Sequence, residues 1–325
     1  MKRTILGGGA AVAALAATLL GGLVSPVAAA VPDTEIRPAR LERGANGAVP
    51  HVDGRRLVDG DLSFRFGRAE LRYLGRTGGD YVVARWGGQS ATNRKVIRVS
   101  PAGERTTLLS DKPVWEMRLS ADGQHLLKSR WISRDHRSVI RLWSAVDGSP
   151  AGRRGFRGVA EILGADAGRV LLTIARPDRT LWWDTADGST SRVSDRAAYT
   201  ADLRNDRLAV MDGDPYRGGC SVLSTISDPS TTIWRSCDRA VAGFAPGGDR
   251  LVTVHLLSDG LGPGELQLHE GDGTALARYT AYWFSGWTWE GDHLLMEAHS
   301  RRKVAWVRCV LDECERAGRL RASNP

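Results

Sequence analysis

Residues 180–188 read Thr-Leu-Trp-Trp-Asp-Thr-Ala-Asp-Gly, an apolar run that ends in a tight acidic turn. Residues 141–148, Arg-Leu-Trp-Ser-Ala-Val-Asp-Gly, repeat the design. A short aromatic and aliphatic run closed by Asp-x-Gly or Asp-Gly is a strand running into a turn, because Asp bonds its own backbone and Gly accepts positive φ. Working outward, a second landmark recurs: a Gly/Asp turn followed by an apolar strand whose first strand residues are Val82, Leu126, Val170, Leu208, Leu251 and Leu294. The intervals are 44, 44, 38, 43 and 43 residues. The later turn glycines, Gly103, Gly148, Gly188 and Gly273, keep the same ruler, with the last gap spanning two units. A period of about 42 residues with several short strands per unit is that of a propeller blade. Helical solenoids share the period, but no amphipathic helical run follows the N-terminal apolar stretch, so they are excluded.

The ending of residues 180–188 resembles the third strand of WD40 repeats, hydrophobic-x-hydrophobic-Trp-Asp-x-x-x-Gly, with Trp183-Asp184 as the dipeptide. The turn-then-strand pattern is similar to TolB-type propeller repeats of exported bacterial proteins. The likeness covers most of residues 71–318; it lacks the Gly-His pair of WD40 units, and one copy alone has Trp-Asp. The resemblance implies a fold and brings no catalytic residues with it. The expected architecture is all-β: a β-propeller of six four-stranded blades beginning near Leu71, Val114, Val159, Tyr199, Val241 and Gly286. Seven is the alternative count, with a degenerate blade around an N-terminal hairpin at Asp59-Gly60. Strand 62–66 is expected to lie against residues 304–320 and close the ring, since an open sheet edge is a liability. In the second unit the innermost strand is expected at 114–119. The expected segments are a signal peptide (1–30), a linker (31–55), the propeller (56–320) and a tail (321–325).

The start carries an address. Lys2 and Arg3 precede an uncharged Ala/Leu/Gly run over 5–24, Ser25-Pro26 breaks it, and Ala28-Ala29-Ala30 offers a cleavage site, so export with cleavage after Ala30 and no stable membrane insertion is expected. The cleaved chain would carry 43 cationic and 37 acidic residues, a net of 43 − 37 = +6 against +8 for the whole. The four cysteines suit an oxidising compartment. Of the three possible connectivities, pairing Cys220 with Cys237 and Cys309 with Cys314 is preferred, because each pair brackets an apparent hairpin. A zinc site is set aside for want of C-x-x-C or His at ligand spacing; no metal or cofactor is expected.

No nucleophile elbow, zinc-protease, P-loop or dinucleotide motif is present, and the seven His are scattered. The predicted inner strands carry Glu70, Glu116, Glu161 and Asp202, once per blade in four units, which is the placement a propeller glycosidase would need. Charge divides more clearly between the two faces. Turns joining the first to the second and the third to the fourth strand are acidic. The longer loops joining the second to the third are basic, with Arg94; Arg130, Trp131, Arg134 and Arg137; Arg176 and Arg179; Tyr216 and Arg217; Arg301 and Arg302. Forty Arg against five Lys also fits a coding bias that scatters Arg over any solvated surface. Long loops on a rigid ring are nonetheless where binding residues collect, and Arg forks suit carboxylate and phosphate groups. The expected function is a non-catalytic binding or scaffold module that engages an anionic extracellular protein or cell-envelope polymer. The alternative is an extracellular carbohydrate-active enzyme using the axial carboxylates. Export and the small net charge count against nucleic acid.

Overall fold

The computed structural model describes residues 30–87, 92–258 and 262–323; the leader expected over 1–30 lies outside them but for Ala30. Seven sheets, each antiparallel between strands consecutive in sequence, follow one another along the described residues. We call them blades 1–7 and letter their strands a to d from the innermost outward. Blade 2 comprises Ala69–Thr77, Asp80–Gly87, Thr92–Val99 and Arg105–Ser110. Blade 3 comprises Arg118–Leu119, His125–Ile132, Arg137–Ser144 and Pro150–Arg157. Blade 4 comprises Val159–Asp166, Arg169–Ala175, Arg179–Asp184 and Thr190–Ser194. Blades 5 to 7 open with Ala198–Asp202, Arg239–Phe244 and Trp283–Glu290 in turn. Blade 1 has three strands, His51–Asp53, Arg56–Asp59 and Leu62–Arg65. The expected count of six is therefore corrected to seven. The sequence period misses blade 1 because its sheet is a strand short and its strands have three or four residues.

Each of the six anticipated b strands is present and has a buried apolar centre; Val82, Leu126, Leu171, Leu208, Val252 and Leu294 are fully enclosed. Apolar residues from adjacent blades form one cluster per interface. Leu57 and Phe66 meet Tyr81 and Val83 between blades 1 and 2, and Leu127 and Ile140 meet Ile162 and Leu172 between blades 3 and 4. The circle ends where Leu295, Trp306 and Ala317 of blade 7 meet Val49, just before blade 1. Burial is thus almost wholly between blades, as apolar faces on both sides of each sheet require.

In blades 2, 3, 4 and 6 the glycine of the c–d turn packs against the outer strand of the preceding blade. At Gly148, φ is 78° and an added Cβ would lie 2.0 Å from the Leu108 carbonyl oxygen, so no other residue fits without a shift. The same contact places Gly103 over Phe64, which makes Leu62–Arg65 the d strand of blade 1. The expectation that 62–66 lies against 304–320 is accordingly wrong. The last blade is met instead by residues 42–53: Arg316 N–H donates to the Glu42 carbonyl at 2.8 Å, and Trp306 Nε1 donates to that of Val52 at 2.9 Å. The supposed linker is part of the fold as well, since Asp33–Glu35 pairs in parallel with Ala275–Thr280 at the outer edge of blade 6. The supposed tail contributes Arg321–Ala322, which pairs with Lys303 and Val304.

Both expected disulfides are formed, Cys220–Cys237 and Cys309–Cys314. They point to an oxidising or extracellular environment. No helix among the described residues is long and apolar enough to cross a membrane.

Candidate functional site

Blade 3 departs from its neighbours. In blade 4 the a–b ladder runs from Val159 opposite Ala175 to Asp166 opposite Arg169, but in blade 3 it consists of Leu119 opposite Leu126 and Arg118 opposite Leu127. The expected strand 114–119 is thus cut to its last two residues. Side chains take the carbonyls that the ladder would have used: Lys128 Nζ donates to Pro113 O at 3.0 Å, and the Arg72 guanidinium donates to Trp115 O and, at 3.0 Å, to Met117 O. Pro113 has no N–H to offer a ladder in any case. Val114 and Met117 are buried against Val82 and Ala84, which draws this segment toward blade 2.

The vacated space is a cavity of about 830 Å³. Six cations line it, Arg72, Lys112, Arg118, Lys128, Arg130 and Arg141, against two carboxylates, Glu116 and Glu161. Trp115 and Trp131, 41% and 40% exposed, offer flat apolar faces, and the Arg94 guanidinium sits 5.6 Å from the centre of the Trp115 ring. Lys128 is paired with Glu116 at 3.0 Å. Arg130 has no carboxylate partner among the described residues, and Arg141 Nε is buried without a hydrogen bond. Desolvation, and for Arg72 the nearby charge of Arg118, pushes the guanidinium groups of Arg72 and Arg118 below the usual arginine value; Glu161 partly offsets this at Arg118. Cations crowded in this way, short of counter-charge, attract an anion.

The eleven residues expected to bind divide unevenly. Arg130 and Trp131 line this cavity, and Arg94 touches its Trp115 wall. Arg301 and Arg302 line a second concavity of about 760 Å³, together with Glu35, Arg37, Tyr282 and His299. The rest are not gathered, and three are paired with nearby carboxylates: Arg134 and Arg137 share Asp135 at 3.4 and 3.3 Å, and Arg217 lies 3.7 Å from Asp214. Arg179 donates to the carbonyls of Pro177 and Arg157, Arg176 lies in the loop before it, and Tyr216 is 73% exposed. Reasoning from loops overlooked Arg72, Lys112, Arg118, Lys128 and Arg141, which come from strands and from the loop between blades 2 and 3. The readable signal was Lys112-Pro113, a proline where an inner strand should begin. Among the axial carboxylates, Glu116 and Glu161 share the cavity, whereas Asp202 accepts from the N–H groups of Arg204 and Asn205 as a turn residue and Glu70 lies outside the lining.

No protein-family model matches the chain, and no curated protein matches it. Solved structures do share its fold. One is the β-propeller domain of the Trilobed protease from Pyrococcus furiosus, at TM-score 0.58 and 11% identity over 85% of this chain and 96% of that one. Another is the Pyrococcus horikoshii acylaminoacyl peptidase, at TM-score 0.58 and 10% identity over 83% of this chain and 47% of that one. The chain thus spans about half the length of that peptidase. At such identities the likeness is one of fold: a β-propeller.

Proposed function

We propose that the chain is an exported propeller of the WD40-like or TolB-like kind, cleaved after Ala30, that works as a binding module for an anionic extracellular or cell-envelope partner. One observation carries the reading: the cavity at blade 3 gathers six cations against two carboxylates beside two exposed tryptophans. The disulfides favour an extracellular address. Guanidinium forks supply paired donors to carboxylate or phosphate, and the concave wall concentrates their field. Carbohydrate cleavage, the second reading, has in its favour that Glu116 and Glu161 share the cavity. A general acid, however, needs an apolar pocket, and Glu116 has an ammonium group at 3.0 Å.

The test uses the cleaved, oxidised protein with two probes, poly-L-glutamate and polygalacturonate, in low and high salt. Binding at low salt that weakens at least about tenfold on raising salt is expected. The exposed pair Lys112→Glu and Arg130→Glu should abolish it while leaving the melting temperature near that of the parent. If neither probe binds at low salt, the reading fails. Release of reducing ends from polygalacturonate, lost in Glu161→Gln, would favour the enzyme instead.

A further inference from the structure

The shortened inner strand leaves more than a charged hollow. In an antiparallel sheet, the N–H and C=O of one residue point to the same neighbouring strand, and successive residues alternate. Ser120 N–H donates to His125 O at 2.9 Å, so residues 125, 127, 129 and 131 face the inner edge of blade 3. Leu127 is paired there with Arg118. Beyond it the ladder stops, and Ser129 and Trp131 turn their backbone groups to the cavity with no backbone partner among the described residues. The corresponding edges in blades 2, 4 and 7 are paired to their ends, as Glu70 opposite Trp86, Ala160 opposite Ile174 and Trp283 opposite His299 show. Buried or half-buried backbone groups call for partners.

The slot also has two unlike walls. Leu126 packs toward blade 2 and Leu127 toward blade 4, so side chains of even number on this strand face blade 2 and those of odd number face blade 4. Arg130 accordingly stands on the blade 2 side, where Arg141 joins it from strand c, opposite in direction to Leu142. Trp131 stands on the blade 4 side, across from Ala160 and Ile162. The blade 2 wall is cationic, whereas the blade 4 wall is apolar around Trp131 and has Arg118, which lies on the side of Leu127 and donates to Leu163 O, as its cation.

We propose that the cavity receives an extended peptide, which adds to residues 129–131 as the missing inner strand and alternates acidic with apolar side chains. The deduction rests on the anion-binding reading above and narrows its partner to polypeptide. Carboxylates of the peptide meet Arg130 and Arg141, its apolar residues lie on Trp131, and its backbone supplies the ladder that blade 3 lacks. Strand addition of this kind takes affinity from main-chain bonds and selectivity from alternate side-chain pockets.

The experiment measures binding of a short peptide of alternating Glu and Val to the oxidised protein, alongside two versions N-methylated at one or the other set of alternate residues. Polygalacturonate serves as the non-peptide anion. Edge pairing uses the N–H groups of one alternate set alone, so one methylated peptide should bind at least about tenfold more weakly than the other. On the protein side, Trp131→Pro removes an inner-edge donor and spares the ladder to strand c, which residues of even number make. It should bind at least about fivefold more weakly than Trp131→Ala, the control for the lost ring. The peptide comparison stands even if Trp131→Pro does not fold. If both methylated peptides bind as the parent does, strand addition is overturned, and charge-driven binding survives so long as polygalacturonate still binds. If no probe binds, both readings fall.

Discussion

The interface between blades 3 and 4 and the seam between blades 7 and 1 do the same task with opposite means. The first buries twelve apolar residues, among them Leu127, Ile140, Phe156, Ile162, Leu172 and Trp183. The seam buries three, Leu295, Trp306 and Ala317, with Val49 packed beside them. It relies on directed contacts between the two ends of the fold. Arg321 lies 2.6 Å from Asp53 and also pairs with Glu297. Arg308 donates to the carbonyls of Ala45 and Asn46 at 3.3 and 3.1 Å, and His51 meets the Trp306 ring edge-on at 4.9 Å. Asp53 Oδ1 and Arg321 Nε are both buried and form an ion pair without hydrogen-bond geometry. Apolar burial is non-directional and scales with area, so it suits blades joined by short loops. At the seam, segments far apart in sequence must find one register, and ionic and aromatic contacts specify it at some cost in desolvation.

The largest effect is expected where the comparison is starkest. Leu172 is fully buried in the apolar interface, so Leu172→Ala should lower unfolding free energy by about 2–5 kcal/mol, read from chemical denaturation. At the seam, Asp53→Ala leaves Arg321 with Glu297 as its one remaining carboxylate. Losing one partner of a buried pair costs about 3–5 kcal/mol; with Glu297 retained, about 2 kcal/mol is expected. Hydrogen exchange should separate the two variants. Asp53→Ala should speed exchange at 51–53 and 303–322 and leave blade 4 protected, whereas Leu172→Ala should act on the whole ring. Equal acceleration everywhere in Asp53→Ala would dissolve the distinction.

The same contrast marks what the sequence disclosed. Interfaces built from periodic apolar strands announce themselves: Val82, Leu126, Val170, Leu208, Leu251 and Leu294 each open the apolar core of a b strand. The disulfide pairs were legible too, since each closes a local hairpin. The seam was not, because Glu42, Val49 and Val52 belong to a stretch without alternation, and their partners lie near the far end of the chain, as Trp306 does for Val52. The site fared likewise. Arg130 and Trp131 could be read as cationic and aromatic loop neighbours. Nothing local says that Arg72 and Lys128 will take the carbonyls of residues 113–117 and so unmake half a strand. Nor does a count of arginines in loops register Asp135 and Asp214, which pair with three of them.

The smallest expected effect belongs to His299, a residue of blade 7 that feels the seam through the charge of Arg321. His299 stacks on Trp283 at 3.7 Å, and its ring nitrogens are 2.9 Å from the hydroxyls of Ser285 and Ser323. Burial, then the charge of Arg321, pushes its pKa down to about 4 from the ordinary 6.5. The folded state therefore holds the neutral ring, while the unfolded chain takes up a proton as pH falls below 6.5. Stability should be full above that value and decline toward pH 4, because the unfolded state binds more protons throughout the window. Ser323 follows directly on the strand Arg321–Ala322, so protonation can be met by local opening of that strand, which limits the global loss to about 1–2 kcal/mol. His299→Gln keeps a neutral polar side chain and should flatten the decline between pH 6.5 and 4. Denaturant midpoints measured across that range decide it. A parent curve as flat as that of the variant would mean that the ring is not held neutral and that the seam does not respond to acid through His299.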